Sequence, residues 1–273
     1  MAHAKLFQNT LAAFFSLTLF NANSVEAASV TVSGDMEISN LRFDLADANA
    51  QLEWTDVWAG EVRAHSADSA SPSSNDSNTS LANDTAIQAG ASTNNGGTLA
   101  KFSVSSAGIT ASVHFDQHFD QPGMQGDSLA VASFDNYFKI TNLNDPNAQG
   151  SVQVDFLLDY SGSLSGTADD GGFFSGLMHF TTMELYDGAS LLDSAVFTDS
   201  ISGTNTSTTR TNSGRLEVST LLSYNTEYWF KYDADADYTT VETIPIPTSI
   251  VLFGSALLGL LRFSNRKLTT IKG

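Results

Sequence analysis

The chain has 273 residues, 41% of them hydrophobic and 10% aromatic with 18 Phe, so it carries enough apolar surface to build a core, and wholesale disorder is excluded. Only 15% is charged, 30 acidic residues against 12 basic ones, and the net charge of -18 repels phosphate backbones, which excludes nucleic acid as a partner. The absence of cysteine removes disulfides, thiolate-bound metals and thiol nucleophiles together.

The amino-terminal segment carries Lys5, an apolar stretch over residues 11–20, and a polar stretch ending in Val25-Glu26-Ala27-Ala28. This is the layout of a secretory signal peptide. Ten apolar residues in a helix span about 15 Å, roughly half of a hydrocarbon core, so the segment is too short for a permanent span. Val25 and Ala27 supply the small side chains that a signal peptidase needs, which puts the cut between Ala27 and Ala28. Residues 1–27 are therefore expected to act as an export leader.

Residues 28–242 form the body. Leaving out Glu26, Lys5 and the four basic residues near the carboxyl terminus, it holds 29 acidic and 7 basic residues, so its surface is strongly anionic. Period-two or β-rich stretches are expected to be strands at 29–33, 36–45, 99–105, 109–119, 128–141, 151–160, 173–186, 191–198, 215–222 and 227–233, most of them bounded by Gly, Asn, Asp or Ser. Ten short strands with no long helix predict an all-β fold, one antiparallel β-sandwich of the jelly-roll or immunoglobulin-like group. Pro122-Gly123, Asp187-Gly188 and Asp169-Asp170-Gly171-Gly172 read as turns. Residues 65–98 are almost entirely Ser, Asn, Asp, Thr, Ala and Gly and are expected to form a long disordered loop, because so little apolar area does not offset the entropy of ordering. Residues 198–214 read as a shorter loop of the same kind.

Three features of the body could carry chemistry. The tandem repeat His114-Phe115-Asp116-Gln117 and His118-Phe119-Asp120-Gln121 puts His114, Asp116, His118 and Asp120 on one strand face and Phe115 and Phe119 on the other. Imidazoles and carboxylates in a row can ligate a divalent metal, but residues two apart on a flat strand diverge, so a solvated face above a Phe core is the stronger reading. Asp233, Asp235 and Asp237 alternate as in a calcium loop, yet Tyr238 stands where such a loop needs Gly and Ile244 where it needs Glu. An irregular calcium site on these three aspartates is the alternative to an acidic outer face. Trp54, Trp58 and Trp229 could offer sugar-stacking platforms if exposed, or fill the core. No nucleophile elbow, zinc-binding His-Glu-x-x-His, phosphate loop or dinucleotide fingerprint occurs, so the body is read as non-enzymatic with no resident cofactor; a polysaccharide hydrolase with two carboxylates is a third option.

The carboxyl-terminal segment, residues 243–273, has three parts. Ile244-Pro245-Ile246-Pro247 stays extended because the prolines fix φ and remove two donors. Residues 248–261 are uncharged and apolar with Gly254 and Gly259, a short membrane helix with small residues for close packing. Arg262, Arg266, Lys267 and Lys272 follow and hold that side in the cytoplasm, giving an N-out, C-in anchor across the inner membrane. The order of these parts in IPIPTSIVLFGSALLGLLRFSNRK resembles the sorting tail of the PEP-CTERM proteins of Gram-negative bacteria, over less than a tenth of the chain. Ile246 departs from the commonest form, which has Glu between the prolines. The resemblance implies recognition by exosortase, a membrane-embedded cysteine transpeptidase, removal of the tail near the prolines, and delivery of the body to the cell surface or the exopolysaccharide matrix of a biofilm. A plain carboxyl-terminal membrane anchor is the alternative for the tail. For the body, the alternative to a structural role is a lectin-like carbohydrate-binding module with calcium as a structural ion.

Overall fold

The computed structural model describes residues 28–243 apart from 56–58, 81–85, 106–107, 122 and 170. Ala27, the Pro-x-Pro motif Ile244 to Pro247, the basic residues Arg262, Arg266 and Lys267, and Trp58 therefore lie outside the described residues. Ala28–Thr243 forms one compact unit.

Thirteen strands are described: β1 (Val30–Leu45), β2 (Ala50–Trp54), β3 (Ala59–Asp68), β4 (Ser71–Ser80), β5 (Ala86–Thr93), β6 (Gly96–Ser105), β7 (Gly108–Phe119), β8 (Gln125–Asn142), β9 (Ser151–Ala168), β10 (Gly172–Asp187), β11 (Ser190–Thr204), β12 (Ser207–Ser223) and β13 (Glu227–Thr243). They make two sheets. The first has six strands in the order β12-β9-β1-β7-β6-β5, and the second has seven, β11-β10-β13-β8-β3-β4 with β2 beside β8. The ladders within both sheets are antiparallel. The all-β class and the antiparallel sandwich arrangement read from the sequence are what the structure has.

The period-two pattern explains the layering. Along β8, Ala130, Ala132, Phe134, Phe138 and Ile140 alternate inward, and along β13 Tyr228, Phe230, Tyr232, Ala234 and Ala236 do the same. The two inner faces meet in one core whose centre is aromatic. Phe156 of β9 stacks on Phe230 of β13 at 5.2 Å, while Phe43 and Phe138 pack edge-on against Phe156 at 5.3 and 5.4 Å. Each such pair adds about 0.5–1.5 kcal/mol beyond the area it buries. Trp54 belongs to this cluster, with ring centroids 5.5, 5.9 and 5.7 Å from Phe43, Phe134 and Phe138. Phe115 and Phe119 are fully buried, as the tandem repeat predicts.

Three expectations need correction. The expected loop over residues 65–98 is, among its described residues, mostly strand: the end of β3, all of β4 and β5, and the start of β6. Its anchors are small, with Ala89 and Ala91 buried and Ala100 just beyond it, and its polar side chains tie strands together: His65 Nδ1 is 2.6 Å from Asn75 Oδ1, and Thr98 Oγ1 donates to the His65 carbonyl. Ladder hydrogen bonds and close sheet contact through alanine replace the large apolar residues whose absence suggested disorder. The expected loop over 198–214 is likewise strand, the end of β11 and the start of β12, with Asn205-Thr206 alone between them and Asn205 at φ 50°. The two strands expected at 29–33 and 36–45 are the single β1, kinked where the register against β9 shifts between Ser39 and Arg42 and Asn40 takes φ 56°. The Asp187-Gly188 turn stands: Gly188 at φ 56° opens the two-residue connection from β10 to β11.

Both sides of the sandwich are shut where the chain passes from one sheet to the other. At β4 and β5 the Asp76 carboxylate accepts the Gly90 N–H at 3.0 Å, and at β11 and β12 the Asp193 carboxylate accepts the Ser219 N–H at 3.2 Å.

Candidate functional site

The outer face of the six-stranded sheet is hydrophilic by construction. β9 reads Ser161-Gly162-Ser163-Leu164-Ser165-Gly166-Thr167, so its hydroxyls share one face and its leucine and glycines the other. β12 repeats the pattern, and the register puts Ser213 opposite Ser161, Thr211 opposite Ser163, Thr209 opposite Ser165 and Ser207 opposite Thr167. The next strands add charge to the same rows. Asp35 of β1 lies between Ser163 and His114 of β7, and Glu37 between Ser161 and Ser112. Leu99 and Lys101 of β6 continue the two rows.

This face is grooved. A depression of about 660 Å³ is lined by Asp35, Glu37, Lys101, His114, Ser163 and Thr211 among others. A second, of about 370 Å³, shares Glu37, Lys101 and Ser112 with it and reaches Gln88 of β5. The groove thus runs across the strands. His114 is fixed between two carboxylates, with Nδ1 2.6 Å from Asp35 Oδ1 and Nε2 3.4 Å from Asp116 Oδ1. Under the floor, Gly162 makes room for a buried histidine, because a Cβ there would meet the Asp35 carbonyl and His179 Nδ1, both at 2.8 Å. His179 is 1% exposed and its Nε2 has no hydrogen-bond partner among the described residues. Burial lowers its pKa to about 4 against the opposing pull of Asp199 and Asp35, so the ring is neutral near pH 7.

The outer face of the seven-stranded sheet carries the aspartates singled out by sequence. Asp233, Asp235 and Asp237 share one side of β13, with Tyr232, Ala234, Ala236 and Tyr238 buried on the other. They follow one another along a single strand and do not converge. Lys231 Nζ pairs with Asp233 at 2.6 Å. Asp235 is flanked across the ladders by Val131 and Phe180, and its pKa rises to about 7, through burial first and then the charges of Asp233 and Asp237. Burial also raises that of Asp237 to about 6. Among the described residues no group of three metal-ligating side chains is placed to hold an ion. His118, the other histidine of the tandem repeat, bonds Thr31 through Nδ1 at 2.8 Å.

Trp229 lies two residues before Lys231 on this same face. Tyr186 packs against it at a tilt of 30° with ring centroids 4.8 Å apart, and Tyr137 stacks on it more distantly at 6.3 Å. The tryptophan thus already packs against two tyrosine rings of the protein.

Sequence reasoning weighed His114 as a metal ligand, preferred a solvated strand face for it, and missed Asp35, Glu37 and Lys101. The signal available for the groove was the period-two run of hydroxyl residues in β9 and β12, which identifies a solvated strand face but not its partner strands. Compared with known protein families, curated proteins and solved structures, the chain matches none.

Proposed function

We propose that this chain is an exported protein of the cell surface or extracellular matrix, whose tail is handed to an exosortase-type transpeptidase and whose body plays a structural or adhesive part without catalysis. In this reading a signal peptidase removes the leader after Ala27. The segment from Ile244 to Lys267 then holds the protein in the inner membrane until the tail is removed. Within the sandwich class the jelly-roll and immunoglobulin-like subgroups stay the two readings, since thirteen strands exceed the eight of the one and the seven to nine of the other.

One observation carries the reading. Ala28–Thr243 forms one compact unit, a folded body of about the extent expected between a leader ending at Ala27 and a tail that starts at residue 243. Both limits also lie at the same end of the sandwich. Thr243 pairs with Gly172, whose Cβ position is 2.5 Å from Val30 Cγ2, and the Asp169 N–H donates to the Ser29 carbonyl at 2.9 Å. The two ends of the body therefore meet at one pole, which suits a protein tethered through its carboxyl end while the opposite pole faces outward.

Mass spectrometry of the mature protein from its native host tests this. The expected product begins at Ala28 and lacks residues 262–273, and a host deleted for its transpeptidase retains them. Retention in the wild-type host, or identical trimming in the deleted one, refutes the sorting step.

A further inference from the structure

We propose that the groove across the outer face of the six-stranded sheet binds a linear, uncharged polysaccharide chain. The inference concerns the body alone and does not depend on how the tail is processed.

The shape selects a polymer. The two depressions share Glu37, Lys101 and Ser112, so together they cross from β12 to β5. Six strands about 4.8 Å apart make a track of roughly 24 Å, long for a single small metabolite and suited to several linked sugar rings. The direction excludes an extended peptide. A peptide gains affinity by adding its backbone to a free strand edge, whereas here the backbone groups of β9, β1 and β7 are spent on ladders to neighbours on both sides. Recognition in the groove therefore falls to side chains.

Those side chains match a polyol. Asp35 and Glu37 are acceptors with two oxygens each, Lys101 is a donor of three protons, and Ser163 and Thr211 both donate and accept, as sugar hydroxyls do. Asp35 is also held in place. Its Oδ1 is 2.6 Å from His114 Nδ1, and the other side of that imidazole is 3.4 Å from Asp116, so the carboxylate loses little freedom when a ligand arrives. Charge decides between kinds of polysaccharide. Asp35 and Glu37 outnumber Lys101 along the track, and the whole body is acidic, so a uronate- or sulfate-bearing chain is repelled and a neutral one is admitted.

The full chain, kept in mild detergent, is titrated calorimetrically with malto-, cello-, laminari- and manno-oligosaccharides of two and six units and with an alginate hexamer. At least one neutral hexamer is expected to bind, about tenfold or more tighter than its dimer, with no alginate heat. Asp35→Asn and His114→Ala are each expected to weaken the hexamer about tenfold or more, the size of a lost charge-assisted hydrogen bond. Trp229→Ala is expected to leave it unchanged. Far-ultraviolet circular dichroism checks that each variant is folded. Where either groove variant unfolds, Lys101→Met and Thr211→Val, both at exposed groove positions, take its place. No neutral hexamer binding at millimolar concentration, equal affinity for dimer and hexamer, preference for alginate, or full affinity retained in folded groove variants each overturns the assignment. Such a result leaves the sorting reading untouched, since that rests on the composition of the mature chain in its host.

Discussion

Asp235 offers a sharp test of how the second sheet is balanced. Its Oδ1 is buried without a hydrogen-bond partner among the described residues, Val131 and Phe180 flank it, Asp233 and Asp237 repel it, and the charges of Lys231 and Arg63 only partly compensate. The folded pKa of about 7 lies above the ordinary 3.8, so the folded state holds this proton more tightly than the unfolded chain does. The stabilisation from holding it is complete below about pH 3.8 and is lost as pH rises through about 7. A rise of about 3 units corresponds to about 4 kcal/mol for a group cut off from water. Halving that for partial solvent access leaves roughly 2 kcal/mol.

Asp235→Asn cannot ionise, so at pH 8 the variant should be more stable than the parent by that amount. At about 2–4 °C per kcal/mol in a domain of this size, its melting temperature should rise by roughly 4–8 °C. The gain should fade to nothing by pH 4. Thermal unfolding followed by circular dichroism at pH 4, 6 and 8 measures it. The difference between variant and parent is the quantity to read, because His179 pulls the other way: with its pKa lowered to about 4, parent stability falls as pH drops from about 6.5. A variant less stable at pH 8, or a gain of equal size at pH 4 and pH 8, would refute the reasoning.

Other expectations follow from the packing. Phe230→Ala removes the ring stacked on Phe156 at the centre of the core and should cost about 3–5 kcal/mol in urea unfolding; a loss under about 1 kcal/mol would mean that the aromatic cluster does not bear on stability. Gly96 takes φ 144° and an added Cβ would collide with the Asp116 carbonyl, so Gly96→Ala should cost at least about 1–2 kcal/mol, whereas Gly150→Ala, with open space at its Cβ, pays only for its φ of 102° and should cost less. Unfolding curves for the two variants side by side decide whether the clash or the dihedral dominates.

What the sequence revealed of the fold follows side-chain size. Where inward positions are large, as at Phe115 and Phe119 of β7 or Phe134 and Phe138 of β8, the alternation identifies strand and inner face directly. Where they are alanine, as at Ala89, Ala91 and Ala100, the same alternation is present but nearly silent, because alanine contrasts weakly with serine and asparagine. That stretch folds because neighbouring strands supply its hydrogen bonds, and partners distant along the chain cannot be seen locally. The groove was illegible for the same reason. Asp35, His114 and Lys101 lie far apart in sequence, and only the register β1–β7–β6 brings them side by side. Trp54 and Trp229 separated by environment: one is woven into the core, the other is clasped by tyrosines outside it.

The shut sides of the sandwich would matter if the molecule is displayed in dense layers, as proposed above. A sheet whose outermost backbone groups are bare recruits a neighbour's strand, and dense layers of such molecules grow into fibres. Here Asp76 and Asp193 occupy N–H groups of the outermost strands β5 and β12 from within the same chain. Each of these two contacts removes one donor from an edge of the six-stranded sheet that a neighbouring copy's strand would otherwise use.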